Sequence, residues 1–215
     1  MVFIMNFLKK FKDLTIEALK DNKKLIIGLY IVFIIAFVAS WVLSGARVES
    51  AIANIPAVNA TTPDMSANVG ATELFINNEW GGIVTYFASV FFAIPAIFML
   101  LYNGVNIGAT GQLFNQLIPN GGLKFLVYLI PHGIFEITAT VIQSVAGILL
   151  FMFIFKFIKA WRSSQTQGAS DAFDKTKKVL IQSIMLMIFA AILLLIAAPI
   201  EAYVSIPFSQ LILGY

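Results

Sequence analysis

The sequence predicts an all-α protein, a polytopic bundle of transmembrane helices with about five membrane passages. Three observations predict it. Of its 215 residues 60% are hydrophobic and only 12% are charged, whereas a soluble domain carries about a quarter charged residues. The mean hydropathy is +0.90. The charges fall in blocks separated by uncharged runs long enough to cross a bilayer, which is the patterning of membrane topology. The chain has no Cys and one His. Disulfides, Cys-ligated metals and thiol nucleophiles are thereby excluded, as is a multi-His zinc centre within one chain.

Residues 1–24 carry Lys9, Lys10, Lys12, Lys20, Lys23 and Lys24 against Asp13, Glu17 and Asp21. Phe3, Phe7, Phe11, Leu14 and Ala18 recur at helical spacing among them. This reads as an amphipathic helix on the inner leaflet, with a plain cytoplasmic extension of the first span as the alternative. Residues 25–43 are uncharged and end near Trp41, an interface anchor, so they form the first span. Ser44-Gly45-Ala46 has the small residues of a cleavage site, but the apolar run before it is too long for a signal peptide. Residues 44–80 set Arg47 against Glu49, Asp64, Glu73 and Glu79, and form an external loop in which Pro56 and Pro63 limit helix length. Asn59-Ala60-Thr61 matches a glycosylation acceptor, for which chance is the default reading.

The transmembrane core is 81–204. Residues 81–102 make a span bent at Pro95, 133–155 a third, and 179–204 a fourth with Pro199 near its end. Between the last two lies a cytoplasmic loop, 156–178, with Lys156, Lys159, Arg162, Lys175, Lys177 and Lys178. A short tail, 205–215, closes the chain. Four spans conflict with the positive-inside bias. With a cytoplasmic N-terminus they would leave the basic 156–178 loop outside. One extra passage at about 112–130 removes the conflict, giving an external C-terminus. Asn115, Gln116, Pro119-Asn120-Gly121-Gly122 and Lys124 interrupt that stretch. It is therefore expected to be broken or re-entrant, enclosed by the other helices.

Ionisable residues inside spans are costly and mark functional sites by default. Three occur: His132, Glu136 and Glu201. His132 and Glu136 are four apart, on one face of a helix expected to open at Pro131. Glu201 lies 22 positions beyond Val179, about 33 Å along a helix. Both elements flank the same basic loop, so the three groups share one depth, remote from that loop. Asn77-Asn78-Glu79-Trp80, at the entrance of the second span, is expected to arrive there too. Two readings stay open. His132, Glu136 and Glu201, with Glu79 as a further carboxylate, are candidate ligands of a divalent cation such as zinc. Alternatively the same groups form a hydrogen-bonded pin between helices. Gly104 and Gly108, four apart after Asn103, permit close helix approach, or belong to a plain inner turn.

Taken in order, the Asn77-Asn78 pair, Asn103-Gly104 with Gly108, Pro131-His132-Gly133-Ile134-Phe135-Glu136 and Ala197-Ala198-Pro199-Ile200-Glu201 resemble the stage II sporulation protein M family over about residues 73–204. The Pro-His-Gly-x-x-Glu string is the most specific of these. The resemblance implies a multi-pass membrane protein without demonstrated catalysis. In endospore formers such proteins anchor peptidoglycan-degrading partners during engulfment, and relatives occur in bacteria and archaea that never sporulate. Family members also look distantly like permease subunits of ATP-driven exporters. The leading expectation is a non-enzymatic scaffold, a homodimer in the lipid bilayer that holds membrane or envelope partner proteins. A permease subunit served by a separate ATPase is the alternative, and an intramembrane metal-dependent enzyme ranks third. Walker, dinucleotide and Gly-x-Ser-x-Gly motifs are absent. The basic loop is accounted for by topology and anionic lipid, so no nucleic acid is expected.

Overall fold

The computed structural model describes residues 2–46, 70–165 and 167–214, with side chains from residue 5. The Phe3 side chain, the glycosylation match and most of the 44–80 loop lie outside them. The described residues form helices and no strand: α1 (Val2–Asp21), α2 (Lys23–Leu43), α3 (Ala71–Ala88), α4 (Ile94–Leu117), α5 (Gly121–Trp161), α6 (Ala169–Tyr203) and α7 (Ser205–Leu213). Four of them, α2, α4, α5 and α6, are long and apolar enough to cross a membrane. The all-helical, membrane-type architecture is the one the composition predicts.

Several boundaries differ from the expected ones. The 81–102 stretch is not one bent helix. It breaks at residues 89–93, where Phe92 and Ala93 have φ of 62° and 57°. Ser89 tightens the end of α3 by donating its hydroxyl to the Thr85 carbonyl at 2.7 Å. Pro95 then sits in the first turn of α4, where its missing N–H would have had no helical partner anyway. The 112–130 stretch is divided likewise: α4 runs to Leu117, a turn occupies 118–120, and α5 begins at Gly121. Asn120 has φ 57°, and a side chain at Gly121 would collide with the Phe114 carbonyl. The interruption seen in the sequence is therefore a turn between two helices.

Pro131 does not open a helix. It lies inside α5, which has 41 residues, about twice the number a bilayer core requires. Breaking the chain there would leave several carbonyls without partners in an apolar medium, while a proline inside the helix leaves one. The basic 156–178 segment is mostly helix, since α5 continues to Trp161 and α6 starts at Ala169. The C-terminal tail is likewise mostly helical, as α7. Residues 71–80, expected within the external loop, open α3.

The chain divides into two compact units. Unit 1 comprises Met1–Tyr30, Trp80–Leu100 and Ala139–Ile192. Its core is built on α5, whose Ala139, Val141, Ile142, Val145 and Ala146 are buried, with Leu186 and Ala190 of α6 and Ala96 and Leu100 of α4. Gly147 admits α4 closely, for a Cβ there would stand 3.0 Å from the Ala96 Cβ. Three hydroxyls cross between helices. Ser183 donates to the Ala146 carbonyl at 2.7 Å, which leaves Tyr86 to donate to the Ser183 oxygen at 3.0 Å. Ser144 shares its hydroxyl hydrogen between the Thr140 carbonyl of its own helix at 2.9 Å and the Ala96 carbonyl of α4 at 3.2 Å.

Helix α1 belongs to the same unit. Its Thr15 and Ala18 are buried, while Phe7, Leu8 and Ile16 stay exposed. The Lys178 ammonium of α6 reaches Glu17 at 2.8 Å and Asp21 at 2.9 Å. Gln182 donates to Asp21 at 2.8 Å, and Asn22 donates to Gln182 at 3.3 Å. The hydrogen bonds from Lys178 and then Gln182 hold the Asp21 carboxyl below its ordinary pKa. A depressed carboxylate stabilises the folded arrangement above the unfolded pKa, and that contribution is lost as pH falls through the folded one. Docking of α1 is therefore expected to weaken only below the usual Asp range, with backbone amides of 10–21 exchanging faster there. Asp21→Asn should abolish that pH dependence. Because these charges are exposed, the effect should shrink in high salt.

Unit 2 comprises Ile31–Glu79, Leu101–Thr138 and Leu193–Tyr215. Here α4 lays Gly104, Gly108 and Gly111 against α2. A Cβ on Gly104 would stand 3.0 Å from the Phe33 carbonyl oxygen, and one on Gly108 would collide with that of Phe37. Close backbones let Ser40 of α2 donate to the Val105 carbonyl at 2.7 Å. Trp41 packs on Phe37 and Phe125. Residues 102–111 are thus helical, and the inner-turn reading of Asn103-Gly104 is replaced by close helix packing.

Candidate functional site

The intramembrane ionisable residues meet in unit 2. Helix α5 carries Tyr128, His132 and Glu136 at successive i,i+4 positions, which one helical face requires. Helix α6 contributes Glu201 close to its end, and α7 opens with Ser205. His132, Glu136 and Glu201 each offer a donor atom, and these atoms all lie within 4.8 Å of one another.

His132 is 3% exposed. Its Nδ1 lies 2.8 Å from the Ser205 hydroxyl oxygen. That hydroxyl donates its own hydrogen to the Ile200 carbonyl at 3.2 Å. When Ser205 donates there, its oxygen accepts from His132 Nδ1–H; in the other tautomer Ser205 donates to Nδ1, so the direction of the 2.8 Å bond follows the tautomer. The opposite ring nitrogen, Nε2, stands 3.9 Å from a Glu136 carboxylate oxygen, too far for a hydrogen bond. The Tyr128 ring lies edge-on to the imidazole with centroids 5.2 Å apart. The Tyr128 hydroxyl hydrogen-bonds the Glu201 carboxylate. His132 and Glu201 are thus each tied to a side chain of another helix. The arrangement can hold helices together, pass a proton between carboxylates, or gather donors around a cation.

Other candidates sit elsewhere. Glu79 is not part of the three-residue group; it lies with Asn77 and Asn78 in the middle of α3. Asn103, Gly104 and Gly108 belong to the α2–α4 contact. Pro131 and Gly133 flank His132 within α5, and a Cβ on Gly133 would press on Leu129 at 3.0 Å. Sequence reasoning missed Tyr128 and Ser205. Both were accessible by spacing: Tyr128 is one turn before His132, and Ser205 four residues beyond Glu201. Neither is ionisable near neutral pH, so a search confined to charged groups passes over them.

The stage II sporulation protein M family matches this chain over residues 29–206. Two proteins of Methanocaldococcus jannaschii, each described only as an uncharacterized protein, are similar to it. MJ0793 is 30% identical over 123 residues, 54% of this chain and 60% of that protein. MJ0706 is 26% identical over 204 residues, 89% of this chain and 90% of that protein. No solved structure matches. The family match takes in every helix that bears on the cluster, from α2 to the start of α7, and runs over most of the chain, which therefore belongs to the stage II sporulation protein M family.

Proposed function

We propose that this protein is a non-enzymatic scaffold of the cytoplasmic membrane, a homodimer that anchors partner proteins of the membrane or envelope. One observation carries the reading: the buried His132 ring is spent on helix-to-helix contacts, bonding Ser205 of α7 while facing Glu136 on its own helix and Glu201 of α6. Polar groups used this way fix a helix arrangement that partners can recognise.

The proposed topology has five passages, with the N-terminus cytoplasmic and the C-terminus outside. In its favour, the described basic residues other than Lys124 all lie in 9–24 and 156–178, as the positive-inside bias requires of cytoplasmic segments. Four helices, α2, α4, α5 and α6, are long and apolar enough to cross, and α3 would supply the fifth passage.

His132→Ala should lower thermal stability in mild detergent by about 1–2 kcal/mol, the range for an interhelical hydrogen bond with its packing, and should reduce the dimer fraction in cross-linking. Glu136→Ala should act in the same direction. Unchanged stability and assembly in both would remove the scaffold reading. A stoichiometric ATPase co-purifying with the protein would replace it by a permease subunit.

A further inference from the structure

We propose that His132, Glu136 and Glu201 bind a divalent first-row transition ion, for which zinc is the probe. The inference rests on the pin geometry above but not on the scaffold role.

In the tautomer that protonates Nδ1 toward Ser205, the His132 ring turns Nε2 toward the Glu136 carboxylate at 3.9 Å. A cation between these two atoms makes both of them ligands. Zinc binds imidazole nitrogen and carboxylate oxygen at about 2.0–2.2 Å, so two ligands of a tetrahedral ion stand about 3.3–3.5 Å apart. Closing from 3.9 Å is a small side-chain adjustment, and the third donor is already within 4.8 Å of the others.

Two further features fit a ligand set better than a plain ion pair. Metal-bound histidines donate their other ring N–H to a fixed acceptor, which orients the ring and sets the tautomer; Ser205, 2.8 Å from Nδ1, is placed to accept it from His132. Ligating carboxylates are themselves hydrogen-bonded; Tyr128 does this for Glu201. One imidazole with two carboxylates suits zinc or a neighbouring divalent ion better than magnesium, which favours oxygen alone. Two carboxylates would neutralise the ion, which is what an apolar surrounding requires of a buried divalent charge.

The test uses the full chain purified in mild detergent, stripped with chelator, reloaded with zinc and dialysed. About one zinc per chain by elemental analysis is expected, with a raised unfolding temperature. Cobalt in place of zinc should give visible d–d bands of mixed N/O ligation. Glu201→Gln keeps an acceptor for Tyr128 and should fold, yet retain less than a tenth of the zinc and give no thermal shift. Wild type holding under a tenth of an equivalent, with no zinc-dependent shift, overturns the proposal. So does full zinc retention by Glu201→Gln together with His132→Gln, which would locate the ion elsewhere. Neither result touches the scaffold reading, which stands or falls on the stability and dimer content of metal-free His132→Ala.

Discussion

Gly108→Leu should destabilise the protein by about 3 kcal/mol, the upper part of the usual overpacking range. The reason is what surrounds the position. A Cβ at Gly108 would run into the backbone carbonyl of Phe37, with the Ser40 Cβ and the Trp41 amide nitrogen each 3.0 Å away. Backbone atoms of a neighbouring helix cannot rotate aside as a side-chain tip can. The α2–α4 contact must then open, and the Ser40 to Val105 bond at 2.7 Å goes with it. Gly28 supplies the control, since a Cβ there meets nothing within 4 Å. Gly28→Ala is expected to be neutral, or to gain up to about 0.5–1 kcal/mol from helix propensity. Thermal unfolding of both variants in the same detergent checks the pair, and equal behaviour would show that α4 does not lie on α2.

At Ser183 two effects can be separated by size. Its side chain is fully buried, donating to the Ala146 carbonyl and accepting from Tyr86. Ser183→Ala removes the hydrogen bonds, and interhelical bonds in membranes average about 0.6 kcal/mol with a maximum near 1.7. Ser183→Leu adds volume to a closed site as well and should cost a further 1–3 kcal/mol, about 3 in total. Packing thus outweighs hydrogen bonding here. A cycle of Ser183→Ala with Tyr86→Phe should show coupling of about 1 kcal/mol, because the second change removes a donor already orphaned by the first. Additive losses would mean that the two hydroxyls are not partners.

How much of this was legible in the sequence depends on the range of the interaction involved. The His132–Glu136 spacing is local and reads directly off a helix. Their meeting with Glu201 followed from two helices sharing one connecting segment. Ser205 was read as tail, because nothing local says that α7 turns back toward α5. The second break was harder still. Residues 89–93 contain no glycine, and the nearest proline follows the turn. The left-handed Phe92 and Ala93 are disfavoured by local sterics, so only the packing around them, including the Ser89 side chain beside Gly147, can hold that turn. Conversely, the glycines at 104, 108 and 111 invite a turn by composition, yet α2 uses them as a smooth surface.

What the sequence by itself determined was the solvent. Hydropathy and charge blocks add up residue by residue, so membrane class, helical content and the segregation of basic residues needed no knowledge of neighbours. The conflict between four clear spans and the positive-inside bias also lay in the chain alone, but the extra passage was placed at 112–130, where the structure has the end of α4, a turn and the start of α5. The tertiary structure decided where helices stop. In an apolar medium a helix continues unless protein around the break satisfies the freed backbone groups, so Pro131 is passed over while the apolar 89–93 segment turns. It also decided which polar groups share a site, bringing Ser205 and Tyr128 to His132 and leaving Glu79 out, since only folded helices fix the distances on which donors and acceptors depend.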